Sequence, residues 1–183
     1  MKRKAFFLDR DGTLNVEVHY LHRACDTKLI PGAAEAVKAI HDAGYLAVII
    51  TNQAGVAKGY YGEEAIFEVQ EELQRQLLQA SGHTVDALYY CPHGNEDNCS
   101  CRKPKPGMFL RAAEEMNIDL SQSYMIGDRP LDAAAGIAAG VKTAVMVTTG
   151  HGKEMLDAGA KVPEGALLAP DILTAVNMLL GKD

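Results

Sequence analysis

Ala5-Phe-Phe-Leu-Asp-Arg-Asp-Gly-Thr13 opens as an unbroken apolar run, as a fully buried strand does, and closes as a polar turn. The pattern recurs downstream. Leu46-Ala-Val-Ile-Ile50 is apolar throughout and ends at Thr51-Asn52, and Ser123 to Ile126 ends at Gly127-Asp128. Ala87 to Tyr90 and Lys142 to Val147 supply two further strands. Helices are predicted between them: Gly32 to Ala43, stopped by Gly44; Glu63 to Ser81; Pro106 to Met116; Ala133 to Ala139, closed by Gly140; and a last one over Asp171 to Leu180. In the second of these, Ile66, Val69, Leu73 and Leu77 share one face. Wholly apolar strands alternating with helices predict an α/β fold, a three-layer Rossmann-like parallel sheet with helices on both faces. No large insertion separates Thr13 from Thr51, or Thr51 from Arg102, so no separate cap domain is expected. The length favours one domain over residues 1–183.

The chain has 18 basic and 24 acidic side chains, a net charge of −6. Non-specific nucleic-acid binding depends on neutralising phosphates, so this balance argues against a nucleic-acid partner. No stretch approaches the ~20 apolar residues of a membrane helix. The basic start Met1-Lys-Arg-Lys is followed by an apolar run too short for a secretion signal, and Asp9 ends it. The expectation is a cytoplasmic protein without a membrane partner, and nothing demands more than a monomer.

In parallel sheets of this kind, ligands sit beyond the carboxyl ends of the strands. Asp9-Arg-Asp11, Thr51-Asn52 and Gly127-Asp128 stand at three such ends. If the strand stays extended past Leu8, Asp9 and Asp11 point the same way and Arg10 faces elsewhere. Gly12 allows a sharp turn whose backbone N–H groups could cradle an anion. Carboxylates with Asp128 make a hard oxygen site suited to Mg²⁺. Such a site favours phosphoryl transfer, with one carboxylate as nucleophile and another moving protons.

Phe7-Leu-Asp-Arg-Asp-Gly-Thr13, Ile50-Thr-Asn52, Arg102-Lys103 and Gly127-Asp128 with Asp132 resemble, in order, the four motifs of the haloacid dehalogenase-like phosphatases. The resemblance implies that Asp9 is the nucleophile and Asp11 the general acid and base. Thr51 and Lys103 would hold the transferring phosphoryl group. Asp9, Asp11 (through its carbonyl) and Asp128 would bind Mg²⁺. Asp132 would be a supporting carboxylate or a solvated acid at a helix start.

Cys91-Pro-His93, five residues, then Cys99-Ser-Cys101 offers three thiolates and an imidazole, a complete tetrahedral set for Zn²⁺. A closed set of this kind is structural. The loop inside it, Gly94-Asn-Glu-Asp-Asn98, has no apolar residue to pack, so a metal can hold what a core cannot. It leads directly into Arg102-Lys-Pro-Lys-Pro106 and would fix where those cations point. Cys25 is left as an ordinary thiol.

Without a cap, specificity falls to nearby loops. The candidates for substrate binding are Glu17, Val18, His19 and Tyr20; Asn52, Gln53 and Ala54; Arg102; and Arg129. Thr51-Asn-Gln-Ala-Gly-Val-Ala-Lys-Gly-Tyr-Tyr61, with Asn15-Val16 and Tyr20-Leu-His-Arg23, is similar to a sugar-bisphosphate branch of the family. That similarity implies a small phosphorylated sugar as substrate, with Arg102 on its second phosphate. His19, Ala54 and Arg129 depart from the branch, which commonly has Gly, Ser and Lys there. The short zinc loop and Gly127-Asp-Arg129 also fit histidinol-phosphate phosphatases. A zinc-stabilised binding module without turnover is the alternative of a different class.

Overall fold

The computed structural model describes residues 2–182. Six strands form one wholly parallel sheet in the order β3-β2-β1-β4-β5-β6. They are β1 (Ala5–Leu8), β2 (Leu46–Asn52), β3 (Ala87–Cys91), β4 (Tyr124–Gly127), β5 (Thr143–Val147) and β6 (Ala166–Ala169). The helices are α1 (Ala33–Asp42), α2 (Glu63–Ser81), α3 (Gly107–Glu115), α4 (Pro130–Ala139), α5 (Gly152–Asp157) and α6 (Ile172–Leu180). Among the described residues, no helix is long and apolar enough to cross a membrane.

Because side chains alternate along a strand, each strand feeds both faces of the sheet. Phe6 and Leu8, with Ile49, Ile126 and Val145, pack against Val37 and Ile40 of α1, Leu73 and Leu77 of α2, and Ile172 and Val176 of α6. Phe7, Val48, Ile50 and Met125 pack on the other face against Phe109 of α3 and Ala133 and Ala135 of α4. Each fully buried Phe, Leu or Ile in these layers contributes about 1.5–3 kcal/mol. Gly136 lets α4 lie against the sheet, since a Cβ there would stand 2.6 Å from the Met125 Cβ. The strands therefore need helices on both sides, and the three layers follow.

Two elements go beyond the sequence expectation. The edge strand β6 has only four residues, and Leu167 and Leu168 stay exposed, so it lacks the signature of a buried strand. The short helix α5 lies in the Gly-rich stretch after β5. Helix α4 also starts three residues earlier than expected, at Pro130 rather than Ala133. Proline is preset for the first turn, and the Asp132 carboxylate accepts the Arg129 N–H at 2.9 Å.

The strand order reverses between β1 and β4. That switch point opens a crevice at the carboxyl ends of the strands. Asp9, Thr51 and Asp128 stand at the ends of β1, β2 and β4 around it.

Candidate active site

Asp9 continues the β1 ladder, donating its N–H to Ile126 O at 2.9 Å. Its carboxylate meets Lys103, whose Nζ donates to Asp9 Oδ1 at 2.8 Å and to Ile50 O at 2.8 Å. The same ammonium lies 2.6 Å from Asp132 Oδ1, an ion pair whose angle falls outside hydrogen-bond geometry. Lys103 is 3% exposed although it comes from a loop. Asn52, at the end of β2, holds it there: Asn52 Oδ1 accepts the Lys103 N–H (3.0 Å) and Asn52 Nδ2 donates to Lys103 O (3.2 Å).

One carboxylate oxygen each from Asp9, Asp128 and Asp132 lies within 4.8 Å of the others, and all three residues are buried. Asp128 is fully buried; its Oδ2 accepts the His151 N–H at 2.8 Å, and its Oδ1 has no partner. Burial, then the charges of Asp9 and Asp132, push the Asp128 carboxyl up to about 8. Burial also raises Asp9 to about 6, with Lys103 opposing and Asp132 and Asp11 adding to the rise. Lys103 is held further into its charged range by Asp132 and Asp9, against the effect of burial. Three acids against one ammonium leave a buried negative excess, and burying an uncompensated charge costs several kcal/mol. A hard divalent cation fits this donor set, with the orphaned Asp128 oxygen as one ligand.

A consequence follows for pH. Raised carboxyl pKa values mean that the folded protein binds protons that the unfolded chain has released, so stability declines as pH climbs from about 4 towards about 8. A cation replaces those protons. The Mg²⁺-induced rise in Tm is therefore expected to be larger above about pH 8 than below about pH 6. Differential scanning fluorimetry in both ranges measures it, and an equal or larger rise in acid contradicts it.

Asp11 behaves differently from the expectation. The extended conformation stops after Asp9, and fully buried Arg10 does not face away. Arg10 Nη2 donates to Asp11 Oδ2 at 2.9 Å; Asn15 Nδ2 donates to Oδ1 and Gln53 Nε2 to Oδ2, both at 2.9 Å. Burial alone would raise the Asp11 carboxyl, but Arg10 and these hydrogen bonds outweigh it and hold it below its usual range. Its carboxylate is not part of the acidic cluster, so a metal ligand from that residue would have to be its carbonyl. Asp132 is a supporting carboxylate and not a solvated acid: it is 1% exposed, its Oδ2 caps α4 and its Oδ1 faces Lys103. Gly12 is needed for close approach rather than for an anion cradle. Its N–H is taken by Asn15 O at 2.8 Å, and at φ 83° a Cβ would stand 2.3 Å from Asp128 Oδ2.

A cavity of about 260 Å³ opens over these groups. Glu17, Val18, His19, Tyr20, Asn52, Gln53, Ala54, Arg102 and Arg129 all line it, together with Asp9, Asp11, Thr51 and Lys103. Two candidates are committed elsewhere. Gln53 is 3% exposed and its polar atoms bond within the protein, and Asn52 is spent on the Lys103 backbone. Leu131 and His151 line the cavity without having been singled out in the sequence, and Tyr61, quoted only as the end of the Thr51–Tyr61 stretch, lines it too. His151 follows β5 in the Gly-rich stretch, where no motif marks it; its ring lies 3.6 Å from Glu17. Burial, then repulsion from Asp11, raises the Glu17 carboxyl. At the mouth, Lys58 donates to the Tyr20 hydroxyl, and Tyr20 packs edge-on against Tyr60 at 4.8 Å. The segments around Tyr20 and Lys58 thus meet beside the cavity wall.

The cysteine–histidine loop lies on the Arg102 side. Cys101 Sγ is 3.1 Å from Cys91 Sγ, 3.4 Å from Cys99 Sγ and 3.3 Å from His93 Nδ1. Cys91 Sγ is 3.6 Å from Cys99 Sγ and 3.5 Å from His93 Nδ1. Zn–S bonds of about 2.3 Å place tetrahedral sulfurs about 3.8 Å apart, so the four donors are gathered near that spacing. All three cysteines are free thiols. Arg102 is tied to the loop: its Nε donates to Asn95 Oδ1 at 2.8 Å and its Nη1 to His93 O at 3.1 Å.

A family model described as HAD-hydrolase-like matches residues 100–175. Over 156 residues the chain is 46% identical to the D-glycero-beta-D-manno-heptose-1,7-bisphosphate 7-phosphatase of Haemophilus ducreyi, covering 82% of this chain and 86% of that one. The protein of the same name from Pasteurella multocida is 44% identical, covering 81% and 83%. The crystal structure of D,D-heptose 1,7-bisphosphate phosphatase from B. bronchiseptica, complexed with magnesium and phosphate, superposes with a TM-score of 0.89 at 33% identity, covering 97% of this chain and 98% of that one.

Proposed function

This chain belongs to the haloacid dehalogenase-like phosphatases, and from that premise we propose that it removes the 7-phosphate of D-glycero-β-D-manno-heptose 1,7-bisphosphate in the cytoplasm, as a Mg²⁺-dependent enzyme with a structural Zn²⁺. One observation supports this above the rest. A single cavity joins a buried acidic cluster paired with Lys103 to a separate cation, Arg102, held by its own loop. A bisphosphate needs a cation at each end, and the planar guanidinium grips phosphate bidentately.

Asp9, Asp128 and the Asp11 carbonyl would hold Mg²⁺, which lessens repulsion between carboxylate and phosphate. Lys103 fixes Asp9 by Oδ1 and adds positive charge beside the incoming phosphoryl group. An Asp9 oxygen attacks phosphorus, and the bond from phosphorus to the sugar oxygen breaks. Asp11 gives that oxygen its proton. Thr51 and Lys103 hold the equatorial oxygens. Asp11, now ionised, takes a proton from water as the water attacks the aspartyl-phosphate. Phosphate leaves and Asp9 is restored. The hydrogen bonds around Asp11 favour its ionised form, which suits the second half-reaction, so its acid role needs a proton gained when the substrate's charge enters.

Phosphate release from heptose bisphosphate and from histidinol phosphate, measured side by side with Mg²⁺, tests the substrate. A preference for histidinol phosphate would overturn it, and absence of turnover on either would favour the binding-module alternative. Arg102→Ala is expected to raise KM for the bisphosphate by about 10–100-fold, a charge-assisted contact of roughly 1.5–3 kcal/mol, with kcat little changed. An unchanged KM contradicts the role given to Arg102.

A further inference from the structure

Gln53 lies beside the proton-handling carboxylate in the cavity wall, with both amide hydrogens donated and its oxygen accepting one bond. Its Nε2 donates to Asp11 Oδ2 and to Thr51 Oγ1, each at 2.9 Å, and its Oε1 accepts from the Tyr61 hydroxyl at 2.9 Å. An ionised carboxylate only accepts, so the amide nitrogen must face Asp11. The amide oxygen must then face away, and Tyr61 is the donor that meets it. Without that hydroxyl, Oε1 is a nearly buried acceptor lacking a partner, and a flipped amide would set oxygen against the Asp11 carboxylate.

The ring of Tyr61 is itself placed. A Cβ at Gly55 would lie 2.2 Å from the Tyr61 Cε1, so the ring approaches closely only because position 55 is bare backbone. His22, on the segment that flanks the cavity mouth, stacks on it with ring centroids 5.4 Å apart and planes 9° from parallel. One line of contacts thus runs from His22 through Tyr61 and Gln53 to Asp11 and Thr51.

We propose that Tyr61 is a positioning residue that locks the Gln53 amide, and through it holds the Asp11 carboxylate in the arrangement that protonation of the leaving group uses. The proposal rests on the reading of Asp11 as acid and base, and it deepens that reading. It assigns Tyr61 no contact with the reacting atoms. The lock serves the protonation of the leaving group, so it matters most where the leaving group is a poor one. A sugar alkoxide depends on that proton, whereas p-nitrophenolate departs almost without it.

The test is a double-mutant cycle of Tyr61→Phe and Gln53→Ala, read as kcat/KM on heptose bisphosphate and on p-nitrophenyl phosphate. Each single variant is expected to lose about tenfold on the sugar substrate, part of the roughly 10²–10⁴-fold that general acid–base catalysis supplies. The double variant loses no more than the larger single loss, and the losses on p-nitrophenyl phosphate are several-fold smaller. Additive losses would mean that Tyr61 acts on substrate by itself and would overturn the lock. Equal losses on both substrates would show general loosening and overturn it too, as would a Tyr61→Phe variant of full activity. Asp11→Asn separates the two levels. If it keeps turnover, the role of Asp11 falls and the lock falls with it. If it is inactive while Tyr61→Phe is unimpaired, only the lock is lost.

Discussion

Asp9→Asn is expected to lower kcat by at least about 10⁴-fold, the scale on which loss of the proposed nucleophile acts, in a protein that still folds. Folding is retained for a physical reason. Burial raises the Asp9 carboxyl to about 6, so its ionised form is already unfavourable in the free protein, and a neutral amide of the same shape relieves that cost. The amide oxygen still accepts from Lys103. Replacing the cation gives a less clear result. Lys103→Met leaves Asp9 and Asp132 buried without their ammonium, and breaking such a pairing costs roughly 3–5 kcal/mol, so lost activity would be mixed with lost structure. Steady-state phosphate release and a melting curve on Asp9→Asn separate the two effects. An Asp9→Asn protein that keeps a few per cent of turnover removes Asp9 as the nucleophile.

The other large effect expected is removal of the Zn²⁺ proposed for the Cys91, His93, Cys99 and Cys101 cluster. The loop between the ligands has no apolar anchor, and the donors are gathered around a common centre. A metal present at 100 times its Kd stabilises by about 2.7 kcal/mol, which for a chain of this size is roughly 5–10 °C in Tm. The second consequence is specific. The His93 carbonyl and Asn95 hold Arg102, so a collapsed loop releases that guanidinium. Chelation followed by restored Mg²⁺ is therefore expected to lower Tm by that amount. It also raises KM for the bisphosphate by about tenfold or more, while turnover of a monophosphate is largely kept. Metal analysis, melting curves and the two KM values check this. A chelated protein with the same Tm, or equal losses on both substrates, contradicts it.

The layers and the parallel sheet could be read from the sequence because buried parallel strands advertise themselves: nothing but apolar residues stands at Leu46 to Ile50, and glycine stops follow the helices at Gly44 and Gly140. The short edge strand β6 carried no such mark, since Leu167 and Leu168 face outward and only Ala169 is fully covered. In the site, the strand pattern was enough to gather Asp9, Thr51 and Asp128 at one sheet edge, while Lys103, on a loop, came only with the family resemblance. The pattern was not enough to orient them. The extended conformation ends one residue sooner than alternation assumes, and this turns Arg10 onto Asp11 and leaves Asp132 to complete the acidic cluster. Gln53 and Tyr61 were legible as loop residues near a pocket. Their mutual hydrogen bond joins residues eight positions apart across a turn, and it depends on Gly55 leaving room for a ring. No periodicity reports such a contact.

The most direct measurement is a crystal structure of the protein with Mg²⁺ and beryllium fluoride, which mimics a phosphorylated aspartate. The beryllium is expected on an Asp9 oxygen, its fluorides within reach of Thr51 and Lys103, and the cation between Asp9, Asp128 and the Asp11 carbonyl. Beryllium fluoride attached to a different carboxylate, or a cation bound away from Asp128, would contradict this placement.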